Sequence, residues 1–142
     1  MSFYSDLAKE LEDKRNAAGK FDLEAAEATR AAFATAANNL GIGKGLEQLP
    51  ANRDKLSDDE RAVPGGGWID KEGRFRACFR ISMSLHSPHY MQLIPCVFRE
   101  KGAWFFSIDN DRFTLDPAGA AKAIEAALRE NLQNMYRCAD KP

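Results

Sequence analysis

The chain reads as an α+β protein: an antiparallel β-meander of four to five strands packed with two N-terminal helices and one C-terminal helix. Three observations predict it. Arg74 to Leu85 alternates almost without fault, with Phe75, Ala77, Phe79, Ile81, Met83 and Leu85 on one side and Arg74, Arg76, Cys78, Arg80, Ser82 and Ser84 on the other. A period of two is a strand with one buried face. Asp70-Lys71-Glu72-Gly73-Arg74 and Glu100-Lys101-Gly102-Ala103 both place glycine where a tight hairpin needs it. Both ends of the chain repeat apolar residues at helical spacing.

Taken in order, residues 1–40 form a helical pair. Phe3, Leu7 and Leu11, with Tyr4 and Ala8 beside them, make the apolar stripe of the first helix, and Lys9, Glu10, Glu12, Asp13, Lys14 and Arg15 its solvated face. Gly19 ends that helix and Asp22 caps the next, whose stripe runs Leu23, Ala26, Arg30, Phe33, Ala37 and Leu40 before Gly41 stops it. Residues 41–67 form an irregular loop between glycine clusters. It is relieved by a helical turn at Ser57-Asp58-Asp59-Glu60, which has the capping-box pattern. Residues 68–115 form the sheet. A two-residue loop at Lys101-Gly102 sets Phe98 opposite Phe105 and Cys96 opposite Ser107, leaving Met91, Leu93, Val97, Trp104, Phe106 and Ile108 on the core side. The His86-Ser87-Pro88-His89 turn joins Arg74–Leu85 to the following strand and brings Cys78 close to Cys96. Arg112 to Leu115 is the last strand. Residues 116–137 are the C-terminal helix, capped by Asp116 and opened by Pro117, with Ala121, Ile124, Leu128, Leu132 and Met135 on its stripe.

Composition sets bounds. At 142 residues, 44% hydrophobic and 29% charged, the chain is an ordinary globular single domain. A net charge of −1 supplies no global field to recruit nucleic acid or membrane, so an anion site must be local. No charged-then-apolar leader and no apolar run of about 18 residues is present, which argues against export and membrane insertion. Three cysteines without a Cys-x-x-Cys pair argue against a disulfide framework or structural zinc. The expectation is a reduced cytoplasmic protein with no cofactor.

The lead to function is the open sheet face, which collects Arg74, Arg76, Arg80, Tyr90, Gln92, Ile94, Phe98 and Phe105, with Arg112 at its edge. Arginine beside aromatic rings anchors protein partners, including a second copy in a homodimer. It also stacks on and neutralises nucleotides or single-stranded nucleic acid. The protein-partner reading comes first because no nucleic-acid motif accompanies the face. A third reading is a metal-dependent enzyme using His86 and His89, which needs further ligands.

Other patterns carry less. Gly41-Ile42-Gly43-Lys44-Gly45 lacks the spacing and the preceding strand of a phosphate loop. Asp109-Asn110-Asp111 lacks the glycine and glutamate of a calcium loop and reads as a turn. Neither Cys78 nor Cys96 has a histidine base close along its strand, and no Gly-x-Ser-x-Gly elbow exists, so a non-catalytic binding protein is expected.

Overall fold

In the computed structural model, residues 2–82 and 90–135 are described. The helical pair is a single helix, α1, spanning Phe3–Asn39. Gly19 sits in its interior with nothing within 4 Å of where a Cβ would be, so it does not stop the helix. A glycine ends a helix by turning left-handed; Gly41 does this at φ +78, immediately beyond the Leu40 C-cap. Asp22 is not a cap. It lies on the buried face, where its carboxylate accepts Nε and Nη2 of Arg61, both at 2.9 Å. The buried stripe is accordingly rotated from the expected one: Asp22, Ala25, Ala26, Thr29, Ala32, Phe33, Ala36 and Ala37 are covered, whereas Leu23 and Arg30 are exposed.

Residues 41–67 are more ordered than their glycines and prolines suggest. A 3-10 turn at Gly43–Gly45 leads into strand β1, Leu46–Leu49, and a second 3-10 turn at Arg53–Lys55 precedes β2, Arg61–Ala62. The Ser57–Glu60 segment makes the reciprocal contact of a capping box, Glu60 Oε1 accepting from the Ser57 amide and hydroxyl at 3.1 Å, but closes a turn without a helix.

The remaining strands are β3 (Trp68–Ile69), β4 (Phe75–Arg76), β5 (Cys78–Ser82), β6 (Tyr90–Leu93), β7 (Cys96–Glu100), β8 (Ala103–Ile108) and β9 (Asp111–Thr114), followed by helix α2, Pro117–Met135. All pairings are antiparallel, in a three-stranded sheet β1-β5-β6 and a six-stranded sheet β2-β3-β4-β7-β8-β9. Among the described residues nine strands replace the meander of four to five: β1 and β2 come from the expected loop, and the long alternating ribbon is split for a local reason. The ribbon from Phe75 outward pairs in one register throughout, Arg76 opposite Cys96 and Phe79 opposite Leu93. Pro95 sits between those pairs and has no N–H to donate, so the ladder is interrupted and one ribbon serves two sheets. The hairpin at Lys101-Gly102 forms as expected, with φ of 50° and 79°, Phe98 opposite Phe105 and Cys96 opposite Ser107. The same register sets Cys96 opposite Arg76, so Cys78 and Cys96 are diagonal neighbours. Asp116 caps α2 by accepting the Gly119 amide at 2.7 Å.

Both helices pack on one another and on the inner sheet face. There Phe33 stacks on Phe79 (centroids 4.5 Å, 13°) and tilts against Phe106 at 5.3 Å. Phe75, Ile81, Val97 and Ile124 complete the centre at 1% exposure or less. The alanines of α1 let its backbone approach closely enough for one phenylalanine to bridge both sheets. Leu132 and Met135 of the expected α2 stripe have side chains outside the described residues, as do Met83, Leu85 and the whole His86–His89 turn.

Candidate functional site

The outer face is built by cross-strand register. Side chains directly opposite share a face, so Glu47, Arg80 and Gln92 form one row and Trp68, Arg76, Cys96, Ser107 and Arg112 another. The structure brings the expected residues together in two groups. At one end the Arg74 and Arg112 guanidiniums each lie 5.3 Å from the Phe98 ring centroid, and Arg112 lies 4.2 Å from that of Phe105. The two rings stack at 6.1 Å. At the other end Arg80 lies 4.7 Å over Tyr90, which is 51% exposed; Ile94, four residues further along the chain, is 43% exposed. Arg76 stands between the groups.

What sequence reasoning missed is that each of these arginines has a carboxylate. Arg76 Nε donates to Asp70 at 2.7 Å, Arg80 Nη2 to Glu47 at 2.6 Å and Arg112 Nη2 to Glu100 at 2.6 Å; Arg74 lies 3.8 Å from Glu72. Four cations face four anions, and the guanidiniums of Arg74, Arg80 and Arg112 bridge carboxylates to rings. Asp70 is the most embedded member at 8% exposure. It accepts the Glu72 and Arg74 amides at 3.0 Å, closing the β3–β4 hairpin while orienting Arg76. Burial alone pushes the Asp70 carboxyl upward. The Arg76 guanidinium and the two amides outweigh it and hold the group below the ordinary carboxylate range. The pattern Asp70-x-Glu72-x-Arg74-x-Arg76 carried a signal, because acids and arginines two apart across a hairpin return to the same face. Glu47 carried none, since its strand is hidden between Gly45 and Pro50. Trp68, opposite Arg76, also joins the face.

Burial pushes the Cys78 thiol up, away from a reactive thiolate, and Cys96 is 5% exposed. Among the described residues no group of three or more His, Cys, Asp or Glu is arranged to hold a metal ion. His86 and His89 lie outside those residues, so the metal reading rests on their spacing alone. No described helix is long and apolar enough to cross a membrane. Comparison with protein-family models, with curated proteins and with solved structures finds no match for this chain.

Proposed function

We propose that the outer sheet face docks a protein partner without catalysing a reaction. One observation carries the reading: both helices pack on the opposite side, leaving an electroneutral lattice of arginine, carboxylate and aromatic groups uncovered by either. Interface cores favour arginine and aromatic residues with few unpaired charges. Here the guanidiniums are already oriented by their acids, which lowers the ordering cost of docking. Phe98, Phe105, Tyr90 and Ile94 supply the apolar contact. A polyanion has less to gain, because each phosphate must displace a carboxylate from its arginine. Nucleotide or single-strand binding through Arg74, Arg76, Arg80 and Arg112 is therefore the second reading.

The test is a photoreactive phenylalanine analogue in place of Tyr90, with the same probe at Lys122 on α2 as control. The expected result is a covalent protein adduct of discrete mass from Tyr90 alone, together with negligible affinity for short oligonucleotides. Oligonucleotide binding that weakens steeply with salt, as counterion release requires, overturns the proposal in favour of the second reading. A discrete protein adduct from Lys122 and none from Tyr90 moves the interface elsewhere.

A further inference from the structure

The first half of α1 stands clear of the body. The Ser2 hydroxyl accepts the Ser5 amide at its start, and Lys14 pairs with Glu10 at 3.4 Å, yet no residue from Phe3 to Lys20 is buried. Phe3 is 80% exposed, Tyr4 79%, Leu11 60% and Leu7 49%. Apolar residues scattered over a surface need no explanation. These four instead share one helical face, Leu7 and Leu11 following Phe3 and Tyr4 at three- and four-residue steps, in phase with Ala25, Ala32 and Ala36 farther along, which are buried. The stripe is a core face continued past the edge of the core. A lone helix of this length is marginal in water, so covering the stripe is also what would hold it helical.

We infer that this overhang pairs with the same segment of a second copy, antiparallel, with Leu7 of each chain opposite Leu11 of the other. Charge argues against a lipid surface as the occupant: Asp6, Glu10, Glu12 and Asp13 outnumber Lys9, Lys14 and Arg15, whereas anionic membranes recruit helices with a basic polar face. Self-complementarity argues for the second copy. With Leu7 opposite Leu11, Tyr4 falls opposite Lys14 and Phe3 opposite Arg15, and two-fold symmetry repeats both pairs. A cationic head over an aromatic ring is favourable, and it is a contact the chain already makes at Arg80–Tyr90 and Arg99–Trp104. Length fits as well. Phe3 to Gly19 spans about 25 Å, and the outermost pair, Phe3 opposite Arg15, stops short of the first buried residue, Asp22. The two bodies then sit at opposite ends without collision. Covering the four large side chains on both copies removes on the order of 1,000 Å² from water, the lower bound for a specific interface, so the dimer depends on concentration.

The experiment is analytical ultracentrifugation of the full chain across the micromolar range. The mass is expected to rise from 15.8 kDa toward twice that value. Leu7→Glu/Leu11→Glu stays monomeric, and at concentrations where the wild type is also monomeric its thermal midpoint is unchanged, because both side chains are exposed in the monomer, whereas Arg76→Glu/Phe98→Glu on the sheet face still dimerises. A monomeric wild type overturns the inference. So does doubling that the stripe variant leaves intact, or a midpoint lowered in that variant at concentrations where the wild type is monomeric, which would mean the stripe packs on its own body. A photoreactive phenylalanine analogue at Tyr4 fixes orientation: adducts near Lys14 of the other chain are expected, and adducts near its Tyr4 overturn the antiparallel arrangement.

Discussion

Gly19→Ala turns the continuity of α1 into a question of sign. Glycine in a helix interior costs about 0.5–1 kcal/mol relative to alanine, because it surrenders more backbone freedom. At Gly19 a new Cβ meets nothing within 4 Å, so neither packing gain nor clash obscures that figure, and the backbone is not among the left-handed positions. The residues before it have no buried contacts, so they open locally and not with the whole domain. The gain therefore appears as a roughly two- to fivefold shift in the helix–coil balance of the overhang, with little change in global stability. Amide hydrogen exchange over residues 3–18 measures it directly, at concentrations where the chain is monomeric, and far-ultraviolet circular dichroism supplies the helicity. Slower exchange and higher helicity are expected. Faster exchange or lost helicity would refute the reasoning, because alanine is penalised at this site only where glycine turns left-handed to end a helix. Gly19→Pro is the companion, costing about 3 kcal/mol locally and unravelling the overhang while sparing the body.

Three further outcomes follow from single contacts. Asp22→Ala removes both acceptors of Arg61 and lowers the unfolding free energy by about 1–3 kcal/mol in urea titration; Arg61→Ala in that background adds little, since the two act as one unit. Asp70 titrates below an unfolded carboxylate, so its contribution is complete above about pH 4 and fades as pH falls through the lower folded value. Asp70→Asn should therefore flatten the acid limb of a stability–pH curve, and an unchanged limb would contradict the assigned hydrogen bonds. Gly73→Ala and Gly67→Ala separate backbone strain from steric conflict: Gly73 has φ +80 with open space, while Gly67 has φ +84 with the Phe75 ring where a Cβ would go. The first costs about 1–2 kcal/mol. The second costs more and is expected to lower the thermal midpoint further.

The local pattern of this chain determines the hairpins at Gly73 and Gly102 and its second helix. Period-two alternation and glycine at Gly73 and Gly102 specify hairpins, because a one-residue slip would expose every core side chain; hence Phe98 opposite Phe105 was legible. Asp116 and Pro117 likewise mark the start of α2 by satisfying or lacking the amides that a helix start leaves free. Punctuation misled where a residue permits a break without requiring one. Gly19 is such a residue, and an exposed helical glycine loses only a fraction of what continuing α1 secures by burying Ala25 to Ala37 against α2 and the sheets. The arginines and aromatics of the outer face were legible as a set, yet their charge state was not. Whether Arg80 or Arg76 stands free depends on Glu47 and Asp70, and Glu47 is brought beside Arg80 only by strand pairing over a separation of 33 residues. Alternation assigns a side chain to a face within one strand, whereas the neutralising partner comes from another, and that pairing is settled by tertiary packing.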